Sequence, residues 1–422
     1  MTRIASLLGR EILDSRGRPT IEVQLTLSDG RAVTASVPSG ASTGRHEAVE
    51  RRDGDPGRYG GLGVLGAIAG INGEVAAALT GHEVDARSID TALIAFDGSP
   101  DKSRLGANAI LAVSLAAARA EAEVKGLPLW RSLAGERPVM LPMPMVNIIS
   151  GGLHADRQLD FQDFMVIPAS AETYSQALEM VCAVHRATGE VLAERGLTTL
   201  RADEGGFGPP LARHQDALAL LDTAVERAGF SVGGDILYAL DVAATHFYDG
   251  EYRLASEDRA LTAEALNEYL CDLVAGHPVV SVEDPFAEDD WDGFVTFTAT
   301  IGDRLQVVGD DLFTTNLSRL GRGIAERAAN AVLVKMNQIG TISETLDVVT
   351  TAKQAGFRTV ISARSGETED AALADLAVGC DGGQIKVGSI TQSERLAKYN
   401  QLLRIEHALG DDAVLASWGR GA

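Results

Sequence analysis

The chain has 422 residues, 45% of them apolar, enough at ~150 residues per domain for two or three domains with sizeable cores, which excludes a disordered or collagen-like chain. Its 37 Lys+Arg against 59 Asp+Glu give a net charge of −22, which repels duplex nucleic acid and acidic membrane surfaces and makes both poor partners. Cys182, Cys271 and Cys380 lie far apart without CxxC spacing, and the opening MTRIASLLGREILDSRG is too poor in apolar residues for a signal peptide, so a soluble cytoplasmic protein with reduced thiols is expected.

The first 135 or so residues read as an α+β unit, residues 1–135, ahead of a second unit at 140–422. Thr20 to Leu27 alternates with period two up to the turn Ser28-Asp29-Gly30, and Ala32 to Val37 pairs with it as the next strand. Pro38 to Gly44 is a small-residue loop suited to close as a lid, and Gly54 to Gly66 is a second glycine-dense stretch. Leu105 to Lys125 is rich in Ala, Leu and Val and is followed by Gly126 and Pro128, a helix with its stop signal. From Met140 onward, short β-branched runs end on polar residues and lead into helical sequence. They reach Asp241, Glu283, Asp310, Lys335, Ser365 and Lys386. A beat of roughly 25 residues is that of βα units, and six of them point to a closed parallel barrel with its chemistry at the C-terminal strand ends.

Asp241, Glu283 and Asp310 end three successive strands, and three unpaired carboxylates at one barrel mouth call for a divalent cation. An all-oxygen set suits Mg²⁺ better than zinc. Taken singly, each acid could equally cap a helix or pair with a base. The chain has only six lysines, yet Lys335 and Lys386 both end later strands, where lysine can serve as a base or as a charge partner of the acids. Asp203 and Glu204 precede two glycines in a loop open to a ligand, and Arg364 with Ser365 forms a plausible phosphate grip.

Together with these residues, the sequence resembles the enolase family almost end to end through the motifs GREILDSRGRPTIEV, VPSGASTG, RLGANAILAVSLA, DEGGF, VGDDLF, NQIGTISETL, SGETEDAALADLAVG and SERLAKYNQLLRIE. The resemblance implies a small α+β N-terminal capping domain before an irregular eight-stranded TIM-type barrel, two Mg²⁺ per active site and a homodimer or higher homo-oligomer. It further implies that Asp241, Glu283 and Asp310 hold the tight metal and Ser42 the second, and that Lys335 is the base for the C2 proton of 2-phosphoglycerate. Glu204 would be the acid at the C3 hydroxyl, Arg364 and Ser365 the phosphate grip, Lys386 the carboxylate contact and His154 a lid-side histidine near the phosphate.

Three positions depart from the family pattern. Gln162-Asp163 stands where enolases read Gln-Glu, Ala363 where they carry histidine, and Ser150 where they usually carry asparagine. All three fall inside the pocket that the resemblance implies, and the positions of Asp163 and Ala363 belong there to the network around the leaving hydroxyl, while metal, base and phosphate residues match. The expectation is therefore a specialised relative resembling carboxyphosphonoenolpyruvate synthase, acting on a phosphorylated or phosphonylated three-carbon acid. The alternatives are an ordinary glycolytic enolase and a non-catalytic binding protein derived from one.

Overall fold

The computed structural model describes residues 2–40 and 43–418. Three strands, β1 (Ile4–Leu13), β2 (Pro19–Leu27) and β3 (Ala32–Ser36), form an antiparallel meander in that order. In β2 the alternating Ile21, Val23, Leu25 and Leu27 all enter the core, and the helix Ala107–Lys125 covers β2 and β3. Strand β1 escaped the sequence reading because a register shift between Ile4 and Ser6 breaks its alternation. The helix is bracketed by Gly106 at φ 100 and Gly126 at φ 67, both conformations that glycine alone takes cheaply. The stretch from Gly54 to Gly66 is mostly irregular, with one short turn of helix at Tyr59–Gly61.

The rest is a closed eight-stranded barrel. Its strands are β4 (Met143–Ser150), β5 (Asp163–Ile167), β6 (Leu237–Asp241), β9 (Val279–Glu283), β10 (Gln306–Gly309), β11 (Ala331–Val334), β12 (Arg358–Ser362) and β13 (Gln384–Gly388), with the small hairpin β7 (Tyr252–Leu254) and β8 (Arg259–Leu261) inserted after β6. The ring runs β10-β11-β12-β13-β4-β5-β6-β9. The expected eight-stranded barrel with a smaller N-terminal part is present, but the wholly parallel arrangement inferred from the βα beat is not. Strand β5 is antiparallel to both neighbours. Strands β4 and β5 are buried along their whole length, so they carry no alternation that would separate them from buried helix.

Met143, Met145, Met165, Ile167, Val308, Leu333 and Val360 fill the barrel axis from within. That packing leaves the C-terminal rim as the place where polar side chains converge. The N-terminal part reaches the same rim: Ser39 and Gly366 exchange backbone hydrogen bonds at 2.8 and 3.0 Å, and Arg119 pairs with Asp370 at 2.6 Å. No helix among the described residues is long and apolar enough to cross a membrane.

Candidate active site

Parallel register brings the strand ends together. Asp241 and Glu283 are direct partners across β6 and β9, and Asp310 follows β10, whose Val308 pairs with Glu283. All three acids are buried. Lys386, inside β13, donates to Asp241 Oδ2 at 2.7 Å and to both Glu283 oxygens at 2.9 and 2.8 Å. Lys335, just past β11, donates to Asp310 Oδ2, whose other oxygen accepts from Gln338 Nε2 at 2.9 Å.

The charges answer one another. Burial and the neighbouring Asp241 push the Glu283 carboxyl well above its usual range. At Asp310 burial pushes the same way, but the cations around it, Lys335 first and then Lys386 and Arg364, together outweigh it and the net shift is down. Burial opposes the charge on Lys335, yet Asp310, Glu283 and Asp311 together outweigh it and raise its pKa; Lys386 is raised well above its usual range by Asp241 and Glu283 against the same burial. With the acids drawn onto them, both lysines are held as cations in this arrangement, and Lys335 must release a proton before it can act as a base. The carboxylates pull harder than burial pushes.

One cavity gathers the remaining candidates. His154, Gln162, Glu204, Asp241, Lys335, Ser362, Ala363, Arg364, Ser365, Lys386 and Val387 line it. Glu204 sits in a loop that turns back at Gly205, φ 88, where a Cβ would meet Thr391 Oγ1 at 2.7 Å. That close approach explains the glycine after the acid. His154 lies in the short turn Gly152–Ala155, with Nδ1 at 3.2 Å from Asp163 Oδ1 and Nε2 at 3.7 Å from Glu204 Oε1. Burial opposes a charge on its ring, but Glu204 and Asp163 reverse that and raise its pKa to about 9. Asp163 is fully buried, held by Asn147 Nδ2, which also donates to Ser150 Oγ at 2.8 Å. Ser150 in turn packs against Gly206, where an added Cβ would meet its Oγ at 2.6 Å. The three departures therefore divide: Asp163 and Ser150 share Asn147, while Ala363 stands on the cavity wall. Gln162 Nε2 reaches Asp241 Oδ2 at 3.2 Å. Ser42 lies outside the described residues.

Several neighbours were missed in the sequence. Glu47 pairs with Arg364 at 3.0 Å, Asn337 accepts from Arg364 at 2.9 Å, and Arg16 donates to Ser365 Oγ at 3.3 Å. Glu47 and Arg16 come from loops of the N-terminal part, where no strand-end rule selects a residue.

Comparison with known proteins decides the family. Residues 4–133 match the model for the enolase N-terminal domain, and residues 138–420 that for the enolase C-terminal TIM barrel domain. The chain belongs to the enolase family. An enolase of Mycobacteroides abscessus is 54% identical over 408 residues, covering 96% of this chain and 95% of that protein. An enolase of Rubrobacter xylanophilus is 51% identical over 421 residues, covering 99% and 98%. The chain is accordingly a metal-dependent lyase of the enolase superfamily. Both relatives are enolases by name, so the specialised relative resembling carboxyphosphonoenolpyruvate synthase has no support there, and the ordinary enolase is favoured.

The family implies a divalent metal, and the donor set fits one: three buried carboxylates on adjacent strand ends with no soft ligand among them. Among the described residues, the acid and imidazole groups that bring ligand atoms within 4.8 Å of one another are Asp284, Asp310 and Asp311, and His154, Asp163 and Glu204. Asp241 and Glu283 are instead drawn onto Lys386.

Proposed function

We propose that the chain interconverts 2-phosphoglycerate with phosphoenolpyruvate and water, the ordinary enolase reaction, using Mg²⁺ held in two positions per active site. One observation carries the reading: a lysine and a glutamate, Lys335 and Glu204, line the same cavity as Arg364, Ser365 and Lys386. Arg364 and Ser365 grip the phosphate, and Lys386 faces the substrate carboxylate. Lys335, once it has released its own proton and stands as the neutral amine, takes the C2 proton on Nζ; the electrons of that C–H bond form the C2=C3 bond, and the C3 hydroxyl leaves with a proton from Glu204 as water. His154, which keeps a proton between Glu204 and Asp163, resupplies that acid. A divalent ion on Asp241, Glu283 and Asp310 would stabilise the negative charge that builds on the substrate carboxylate as the C2 proton departs. The protein works in the cytoplasm as a homodimer or larger homo-oligomer, with residues 1–135 and 140–422 as its two units.

Ala363 favours a second reading. Its methyl group leaves cavity wall open where the family pattern has an imidazole, which suits a relative handling a larger group at the C3 end. The assay of purified protein with Mg²⁺ on 2-phosphoglycerate separates the two. A kcat/KM of about 10⁴ M⁻¹s⁻¹ or more is expected for the ordinary reaction; rapid exchange of the C2 hydrogen with solvent but negligible phosphoenolpyruvate would favour the second. Neither exchange nor turnover would leave the non-catalytic binder.

A further inference from the structure

The cluster on the leaving-group side of the cavity has a composition unlike that of the three-acid set. His154, Asp163 and Glu204 each offer a ligand atom, and these atoms lie within 4.8 Å of one another. They arrive from three different segments, the turn Gly152–Ala155, strand β5 and the loop before Phe207. All three side chains are buried. Asp163 Oδ2 has no hydrogen-bond partner, and two more acceptors close by in sequence and space, Gln162 Oε1 and Asn147 Oδ1, also have none. Asn147 and Gln162 both touch the acids of this region through their amide nitrogens, so their carbonyl oxygens add to an excess of acceptors. Buried acceptors without a hydrogen-bond donor call for a partner that the surrounding side chains do not supply at bonding distance.

We propose that His154, Asp163 and Glu204 form a site for one divalent ion of the borderline class, such as Zn²⁺ or Co²⁺, distinct from the carboxylate set Asp241, Glu283 and Asp310. An imidazole with two carboxylates suits such ions, whereas hard Mg²⁺ prefers oxygen alone. His154 meets Asp163 through Nδ1 at 3.2 Å and Glu204 through Nε2 at 3.7 Å, so bonds of about 2.0–2.2 Å to one ion use one ring nitrogen and require the acid facing the other to turn toward it, the three ligand atoms lying within 4.8 Å of one another. Asp163 is fixed by Asn147, which donates to Oδ1 and leaves Oδ2 without a hydrogen-bond partner. The Lys386 ammonium, 4.0 Å from Asp163 Oδ2, separates the two sites. It is bound to Asp241 and Glu283, so it screens the new ion from the acids on its far side.

The site shares residues with the reaction proposed above but stands without it, because ion retention is read with no substrate present. Purified protein is dialysed against Zn²⁺ in saturating Mg²⁺, and bound zinc is counted. The unaltered chain is expected to retain one more zinc per chain than either His154→Gln or Asp163→Asn, while Mg²⁺ retention on the three-acid set stays equal in all three. Crystals of the unaltered protein grown with both ions should show an anomalous peak at the zinc edge between His154, Asp163 and Glu204. That second measurement needs no variant, so it decides the matter even where a variant fails to fold. Equal zinc retention by all folded proteins, or a zinc peak confined to other positions, overturns the proposal.

Discussion

At Lys335 the distinction between a positive charge and a releasable proton can be tested with one residue. Lys335→Ala removes both; Lys335→Arg keeps a cation beside Asp310 but cannot give up a proton near neutral pH. If Lys335 takes the C2 proton, both variants lose exchange of the substrate C2 hydrogen with solvent deuterium, by about 10²- to 10⁴-fold. If it serves only as the partner of Asp310, the arginine variant retains exchange. Nuclear magnetic resonance of 2-phosphoglycerate in deuterium oxide reads this whether or not the hydroxyl later departs. Asp310→Asn tests the opposite half of the pair. It leaves the amide of Gln338 a carbonyl to donate to, at the position now 2.9 Å away, so the fold should survive while Mg²⁺-dependent turnover falls by at least about 10²-fold, since a neutral amide is a poor ligand for a hard cation.

The helix Ala372–Gly379 shows a different use of a buried acid. Asp375 is buried and accepts from Gln401 Nε2 at 3.1 Å on the neighbouring helix Ser393–Leu409; burial raises its pKa from 3.8 to about 6. The folded value lies above the unfolded one, so the folded state disfavours the ionised form. No penalty exists below about pH 4; it grows between about pH 4 and 6 and stays constant above, reaching at most about 3 kcal/mol. Asp375→Asn keeps an acceptor for Gln401 without the charge, so it should stabilise the protein by up to about that amount at pH 7. The gain should vanish near pH 4, which urea unfolding at the two pH values checks. No residue pattern in the sequence announced this site. The elements that were legible carry their signal in the chain itself: buried positions alternating with half-buried ones, as in β2, a stop signal such as Gly126 and Pro128 after the helix Ala107–Lys125, or a recurring step into a polar strand end, as at Asp241, Glu283 and Asp310. Strands β4 and β5 are buried throughout and hid for that reason. In the cavity, residues delivered by strand ends could be picked out, whereas Glu47 and Arg16 meet Arg364 and Ser365 through loops, and Asn337 meets Arg364 from the short helix Met336–Ile339, whose paths depend on the folded whole.

For the whole molecule, the question is what ties the N-terminal part to the barrel rim. Asp370 is the densest junction. Its carboxylate accepts from Arg119 at 2.6 and 2.7 Å on the helix Ala107–Lys125, from Ser36 N at 3.0 Å at the end of β3, and from Ala372 N at 2.8 Å in the barrel. The segment it anchors begins just after β12 and carries Arg364 and Ser365. Removing one member of a fully buried pair costs roughly 3–5 kcal/mol. The Arg119 side chain keeps 23% of its surface exposed against 8% for Asp370, so solvent screening reduces the expected loss for Arg119→Ala to about 1–3 kcal/mol. If the two parts hold each other through this junction, thermal unfolding of the variant remains a single transition at lower temperature, and KM for 2-phosphoglycerate rises more than kcat falls, because the grip on the phosphate loosens while Lys335 and Glu204 stay in place. In an Asp370→Asn background the same Arg119→Ala change should cost clearly less, since the charge it paired with is already gone. A coupling energy below about 0.5 kcal/mol in that double-mutant cycle would show that the ion pair does not bind the parts, leaving the backbone exchange between Ser39 and Gly366 to carry the junction.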